Sequence, residues 1–178
     1  MRVGGSARRQ GMAMWQAARM DLHPALAPLA GLLGTWRGTG HGVYPTIDPF
    51  DYGEEVTFAH VGKPFLSYVQ RTWEPDSGAP MHSELGFLRA TGADRVELVI
   101  AQPFGATEAL VGTVEDGRLR LRSQAVVTTP TAKRIDAVER DVTVTRDAQG
   151  PVLRYDLRMA AVGEPMTHHL AAELRPGD

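Results

Sequence analysis

The chain has 178 residues, 43% of them hydrophobic, and a formal net charge of -2, which suits one globular domain with a core of ordinary size. That near-neutral balance gives no electrostatic footprint for nucleic acid or an anionic membrane. The absence of cysteine excludes disulfides, thiolate metal sites and cysteine nucleophiles, and fits a cytoplasmic protein.

The first segment, "MRVGGSARRQGMAMWQAARM", carries basic residues and methionines but no continuous apolar h-region, so it is not read as a signal peptide. Residues 1–20 read as a disordered extension, with Met20 a candidate start of the folded protein and residues 21–178 as the domain. No apolar run approaches the roughly 20 residues that a membrane helix needs. "DLHPALAPLAGLLG" (21–34) is the one helical candidate. Asp21 is placed to cap it and Pro24 suits its first turn, while Pro28 limits its length.

From Gly34 onward the pattern is strand after strand. "RLRLRSQAV" alternates Leu119 and Leu121 with Arg118, Arg120 and Arg122. "VLRYDLRMA" alternates Leu153, Tyr155, Leu157 and Met159 with Arg154, Asp156 and Arg158. A period of two means one buried and one wet face. Hairpin signals separate the runs at Asp76-Ser77-Gly78, Thr91-Gly92-Ala93-Asp94, Glu115-Asp116-Gly117 and Asp147-Ala148-Gln149-Gly150. They imply about ten strands. The fold class is therefore all-β: an antiparallel up-and-down β-barrel, lipocalin-like or fatty-acid-binding-protein-like, with a short N-terminal helix. Closure removes exposed edges, and a barrel of this size encloses a ligand cavity.

"GTWRGTG" (34–40) raises the question of what needs so much room. A dinucleotide fingerprint must follow a strand, open a helix and sit in a βαβ unit. Here "HGVYPTIDPF" follows, with two prolines and no such unit. The glycines instead mark a first barrel strand that coils sharply, with Trp36 plugging one end.

This stretch, with "YPTI", "GKPFL", "PMHSE", "AQPFG", "PTAK" and "THHL" in that order, resembles the nitrobindin family over residues 22–175. Gly34, Trp36, Gly38 and Gly40 satisfy the family motif Gly-x-Trp-x-Gly-x-Gly. The resemblance implies a ten-stranded barrel holding one haem b per chain in a shallow, fairly exposed pocket. It implies ferric iron held by one histidine, isomerisation of peroxynitrite to nitrate and reversible binding of nitric oxide. The partners it implies are these small molecules, with no nucleic acid and no membrane; a homodimer is left open.

Six histidines are available: His23, His41, His60, His82, His168 and His169. The family position for the axial iron ligand is the histidine before Leu170, which is His169. Strand parity reads differently. His168 shares a face with Leu170, Ala172 and Leu174, so alternation alone selects His168 unless a bulge inverts the strand. Thr46 and Lys133 carry over as haem contacts, and a rim ammonium is suited to a propionate carboxylate. His82, flanked by Met81 and Leu85 that both read as buried, borders the cavity or is a satisfied core histidine. Met81, Gln102 and Met159 are further lining candidates, with core filler the favoured reading for Met159. His60 reads as the end of a strand.

Carboxylate pairs at Glu54-Glu55 and in the Glu97/Glu108 region read as opposed or solvent-facing, which leaves a glycosidase dyad unsupported. Neither a G-x-S-x-G elbow nor an H-E-x-x-H helix is present. The alternative function is a small-molecule or fatty-acid carrier, or a nitric oxide sensor, on the same barrel. An interaction domain with an empty barrel is a third reading.

Overall fold

The computed structural model describes residues 20–177; the predicted disordered extension lies almost wholly outside them. A 3-10 helix, Pro24–Leu32, precedes ten strands. These are β1 (Gly34–Tyr44), β2 (Ile47–His60), β3 (Phe65–Trp73), β4 (Pro80–Ala90), β5 (Arg95–Gln102), β6 (Ala106–Glu115), β7 (Arg118–Thr128), β8 (Ile135–Asp147), β9 (Gly150–Ala161) and β10 (Thr167–Pro176). Each pairs antiparallel with its sequence neighbour, and β10 returns to β1, so the barrel closes. Sequential hairpins and closure are what the alternating sequence predicts.

The helix departs from expectation in one respect. His23, not Asp21, caps it: His23 is extended and its Nδ1 accepts from the Ala25 N–H at 3.2 Å. Asp21 lies two residues too early to reach the first free N–H groups. Pro24 and Pro28 favour the tighter winding over a regular α-helix.

This segment closes one end of the barrel. Leu26, Leu29 and Leu32 join Trp36, Val56, Phe58, Leu66, Leu88, Leu98, Leu110, Val114, Leu119, Leu153 and Leu174 in a continuous apolar core. Trp36 is 3% exposed, and its indole N–H donates to the Leu32 carbonyl at 2.7 Å. The ring therefore fills the core while its polar edge ties the helix to β1. The turns after β1, β3, β5, β7 and β9 all fall at the opposite, open end.

Truncating Trp36→Ala removes both the filling and the tie. The expected loss is about 3–5 kcal/mol in urea unfolding, with the folded baseline retaining its strand signal by circular dichroism.

Candidate haem site

Topology gathers the predicted site residues at the open end. Thr46 lies in the turn after β1, His82 near the start of β4 and Gln102 at the end of β5. Lys133 lies in the loop after β7, Met159 near the end of β9 and His169 near the start of β10. Thr46 and Lys133 are exposed on the rim, whereas Met159 packs against the edge of the apolar core.

The parity question at residues 168 and 169 has a structural answer. The pairing of β10 with β9 steps from His168↔Arg158 to Leu170↔Leu157, so one extra residue is accommodated at His169. A bulge of this kind lets two successive side chains depart from strict alternation. His168 points outward to Asp156, Nε2 to Oδ1 at 3.3 Å. His169 turns inward, beside the rings of Tyr44 (5.2 Å between centroids) and Phe50 (6.4 Å).

His169 Nδ1 lies 3.0 Å from the Val43 carbonyl oxygen. A carbonyl only accepts, so Nδ1 carries the proton and Nε2 keeps its lone pair free. Burial pushes the imidazole below its ordinary value, the Val43 carbonyl pulls it partly back, and nearby His168 and His82 add to the depression. A neutral imidazole with a fixed tautomer and a free Nε2 fits the donor that haem iron requires.

His82 is on the inner face of β4 and half-buried, 3.6 Å from Glu84 Oε1, with its ring tilted against that of Phe104 at 5.8 Å between centroids. Its neighbours correct one expectation. Met81 is 45% and Leu85 58% exposed, because alternation places both on the outer face once His82 and Glu84 face in. Met81 still borders, with Thr72, Trp73, His82 and Pro103, a concavity of about 420 Å³ at the mouth. A second hollow of about 970 Å³ lies on the outer wall among Arg95, Arg120, Arg122, Glu139 and Asp156, apart from His169.

The larger correction concerns the carboxylates. Glu54, Glu84 and Glu108 face inward and are almost fully buried, between the dry core and the open end. Arg140 donates to Glu84 Oε1 and Oε2 at 2.8 and 2.9 Å and to both oxygens of Glu108 at 3.0 and 3.2 Å. Gln102 donates to Glu108 and, at 3.4 Å, to Glu84. Gln70 Nε2 donates to Glu54 Oε1 at 2.6 Å, and the Tyr155 hydroxyl donates to Glu54 Oε2 at 2.8 Å. Their signal lay in the alternation: Glu54 falls between inward Tyr52 and Val56, Arg140 between inward Val138 and Val142.

These carboxylates titrate differently. Burial pushes Glu54 up to about 7 despite the bonds from Gln70 and Tyr155. Burial also raises Glu108, though Arg140 opposes it. For Glu84 burial is outweighed by Arg140 and by bonds from His82, Arg140 and Tyr68, so its carboxyl stays far below the ordinary range.

Residues 25–175 match the family described as "THAP4-like, heme-binding beta-barrel domain". The chain belongs to this family. It is 53% identical over 158 residues to the peroxynitrite isomerase of Nocardia farcinica, covering 86% of this chain and 92% of that one. It is 50% identical over 159 residues to peroxynitrite isomerase 2 of Mycobacterium marinum, covering 87% and 96%. The crystal structure of Rv2717c from M. tuberculosis superposes with a TM-score of 0.81 at 47% identity, covering 89% of this chain and all of that one. Among the described residues no helix is long and apolar enough to cross a membrane.

A pH dependence follows from Glu54. The unfolded chain gives up this proton near 4.5, whereas the folded protein holds it to about 7. The stability contribution of Glu54 is therefore fully present below the unfolded value and is lost as pH rises through the folded one. Its size is on the order of 3 kcal/mol. Urea unfolding of Glu54→Gln against the parent should show the variant gaining relative stability between about pH 4.5 and 7, then levelling off; a pH-independent difference would refute the assignment.

Proposed function

We propose that the protein is a cytoplasmic, ferric haem b protein, with one haem per chain, that isomerises peroxynitrite to nitrate and binds nitric oxide reversibly. The observation that carries this reading is His169, turned inward by the β10 bulge and oriented by the Val43 carbonyl with Nε2 free. The curated relatives named peroxynitrite isomerase support the reaction.

When bound, the haem would supply a redox-active iron suited to the chemistry of a peroxy O–O bond. The chain's own residues hold and orient it. His169 donates Nε2 to the iron, and Tyr44 and Phe50 restrict the rotation of its ring. Lys133, exposed on the rim, pairs with a propionate, and Thr46 hydrogen-bonds nearby. Gln102 is fixed by Glu84 and Glu108, His82 by Glu84; with Met159 they present a constrained lining to a small ligand.

The carrier reading receives no support from the interior. Among the described residues the one buried cation, Arg140, is committed to Glu84 and Glu108. A fatty-acid carboxylate would thus meet an anionic interior with no free cation. A homodimer also belongs to the proposal. Outward-facing Leu85 and Phe87 are cross-strand neighbours of Val69 and Val99, and all four are exposed. That makes an apolar surface suited to burial between copies.

Two measurements test these assignments. His169→Ala should fold yet fail to give the Soret band of the reconstituted ferric protein, and should lose accelerated peroxynitrite decay, while His168→Ala keeps both. Loss of the band in His168→Ala alone would move the ligand by one residue; no effect in either variant would remove the haem reading. For the dimer, Phe87→Glu should shift sedimentation from dimer to monomer, and a monomeric parent would reject it.

A further inference from the structure

All four tyrosines of the chain, Tyr44, Tyr52, Tyr68 and Tyr155, have inward-facing side chains. Each hydroxyl is hydrogen-bonded, but to acceptors of different kinds. Tyr44 donates to the Ala161 and Met159 carbonyls at 3.2 and 3.3 Å, and amide carbonyls do not take up a proton. Tyr68 donates to Glu84 at 2.8 Å, a carboxylate already neutralised by Arg140. Tyr155 donates to Glu54, which has no cation bonded to it, and the Tyr52 hydroxyl lies 2.9 Å from that of Tyr155.

We propose that Tyr52, Tyr155 and Glu54 form a proton-coupled one-electron relay that quenches nitrogen dioxide released inside the barrel. This rests on the peroxynitrite reading, since nitrogen dioxide is the one-electron oxidant formed when the peroxynitrite O–O bond breaks homolytically. In the step, the Tyr155 O–H bond breaks. The electron reduces nitrogen dioxide to nitrite, the proton moves to Glu54 Oε2, and a neutral phenoxyl radical remains on Tyr155. A hydrogen atom then passes from the Tyr52 hydroxyl to the phenoxyl oxygen, re-forming the Tyr155 O–H bond and moving the radical to Tyr52. A second nitrogen dioxide adds to the ring of whichever tyrosine holds the radical, and the ring hydrogen at that carbon passes to the phenolic oxygen to give 3-nitrotyrosine.

Two features favour Glu54 as the proton's destination. Gln70 Oε1 is buried without a hydrogen-bond partner. A turn of that amide presents an acceptor to a protonated Glu54, which the ionised carboxylate cannot use. Burial also holds Glu54 near 7, whereas Glu84 stays strongly acidic. Burial raises the Tyr52, Tyr68 and Tyr155 phenols, so none ionises in advance and oxidation requires an adjacent base. The groups facing the relay are Glu84 and Arg140 from β4 and β8, besides Gln70 on β3. Arg140 is shared by Glu84 and Glu108, which leaves Glu54, bonded to Tyr155, the carboxylate of this layer with no cation on it.

The haem-loaded full chain is treated with peroxynitrite and, separately, with nitrogen dioxide generated by radiolysis of nitrite. Tyrosyl radical is read by freeze-quench electron paramagnetic resonance and 3-nitrotyrosine by peptide mapping. Both oxidants should give a tyrosyl signal in the parent and in Tyr68→Phe. Tyr155→Phe should lose it and Glu54→Gln diminish it, with nitration in the parent confined to Tyr52 and Tyr155. A signal from radiolytic nitrogen dioxide but not from peroxynitrite, with peroxynitrite decay no faster than without protein, would leave the relay standing and reject the peroxynitrite reading. No signal with either oxidant, an undiminished signal in Tyr155→Phe, or nitration only at Tyr44 and Tyr68 would overturn the relay. Should Tyr155→Phe fail to fold, the nitration map of the parent decides.

Discussion

The inner face of β1 has no side chains where two aromatic rings and a neighbouring backbone must pass. A Cβ on Gly40 would sit 2.2 Å from the Tyr52 ring, and one on Gly42 equally close to Phe50. At Gly38 it would meet the Glu173 carbonyl oxygen of β10 at 2.1 Å. The room in "GTWRGTG" and the glycine beyond it therefore belongs to protein, not to a phosphate. Everything at the open end depends on that close approach. Tyr52 reaches Tyr155 only because its ring lies over Gly40, and Phe50 stands beside His169 because it lies over Gly42.

Legibility in the sequence followed the strength of the local signal. Leu119-Leu121 and Leu153-Leu157 alternate against arginines, and Gly or Asp-Gly turns separate the runs, so ten antiparallel strands and their closure could be read directly. Trp36 as an end plug followed from a large aromatic in the first strand. The site was less legible for two physical reasons. Strand parity assumes an unbroken period of two, and the bulge at His169 breaks it at the residue that matters. Charge also marks Glu54, Glu84, Glu108 and Arg140 as surface residues, although their strand positions are inward and their polar partners hold them in the interior. Met81 and Leu85 erred in the opposite direction, since apolar residues also occupy the outer wall.

The paired charges are not explained by stability. Removing two carboxylates and a guanidinium from water is costly, and well-packed apolar replacements of such clusters are often neutral or stabilising. The apolar core around Trp36 and Leu26 supplies the hydrophobic stabilisation on its own side of this layer. What the layer supplies instead is fixed polarity. Arg140 holds Glu84 and Glu108 in one arrangement, these fix Gln102, and Glu84 steadies His82. Glu54 stands outside that compensation and retains a titratable proton within a folded interior. The layer thus gives the cavity end of the barrel chemistry that the core end lacks.

The bulge in β10 shows how little backbone change separates a barrel from a barrel with a site. With regular alternation His168 would face inward beside Leu170, and His169 would sit in water. One additional residue in the β10 pairing reverses this, sending His168 to Asp156 and His169 to the Val43 carbonyl. Strands on either side of the bulge keep their antiparallel register, so the barrel tolerates the irregularity without losing closure. The inward position of His169 is therefore set by a local register shift rather than by the fold as a whole. For that reason a resemblance in fold alone, without the paired histidines and the bulge that sorts them, would say nothing about iron.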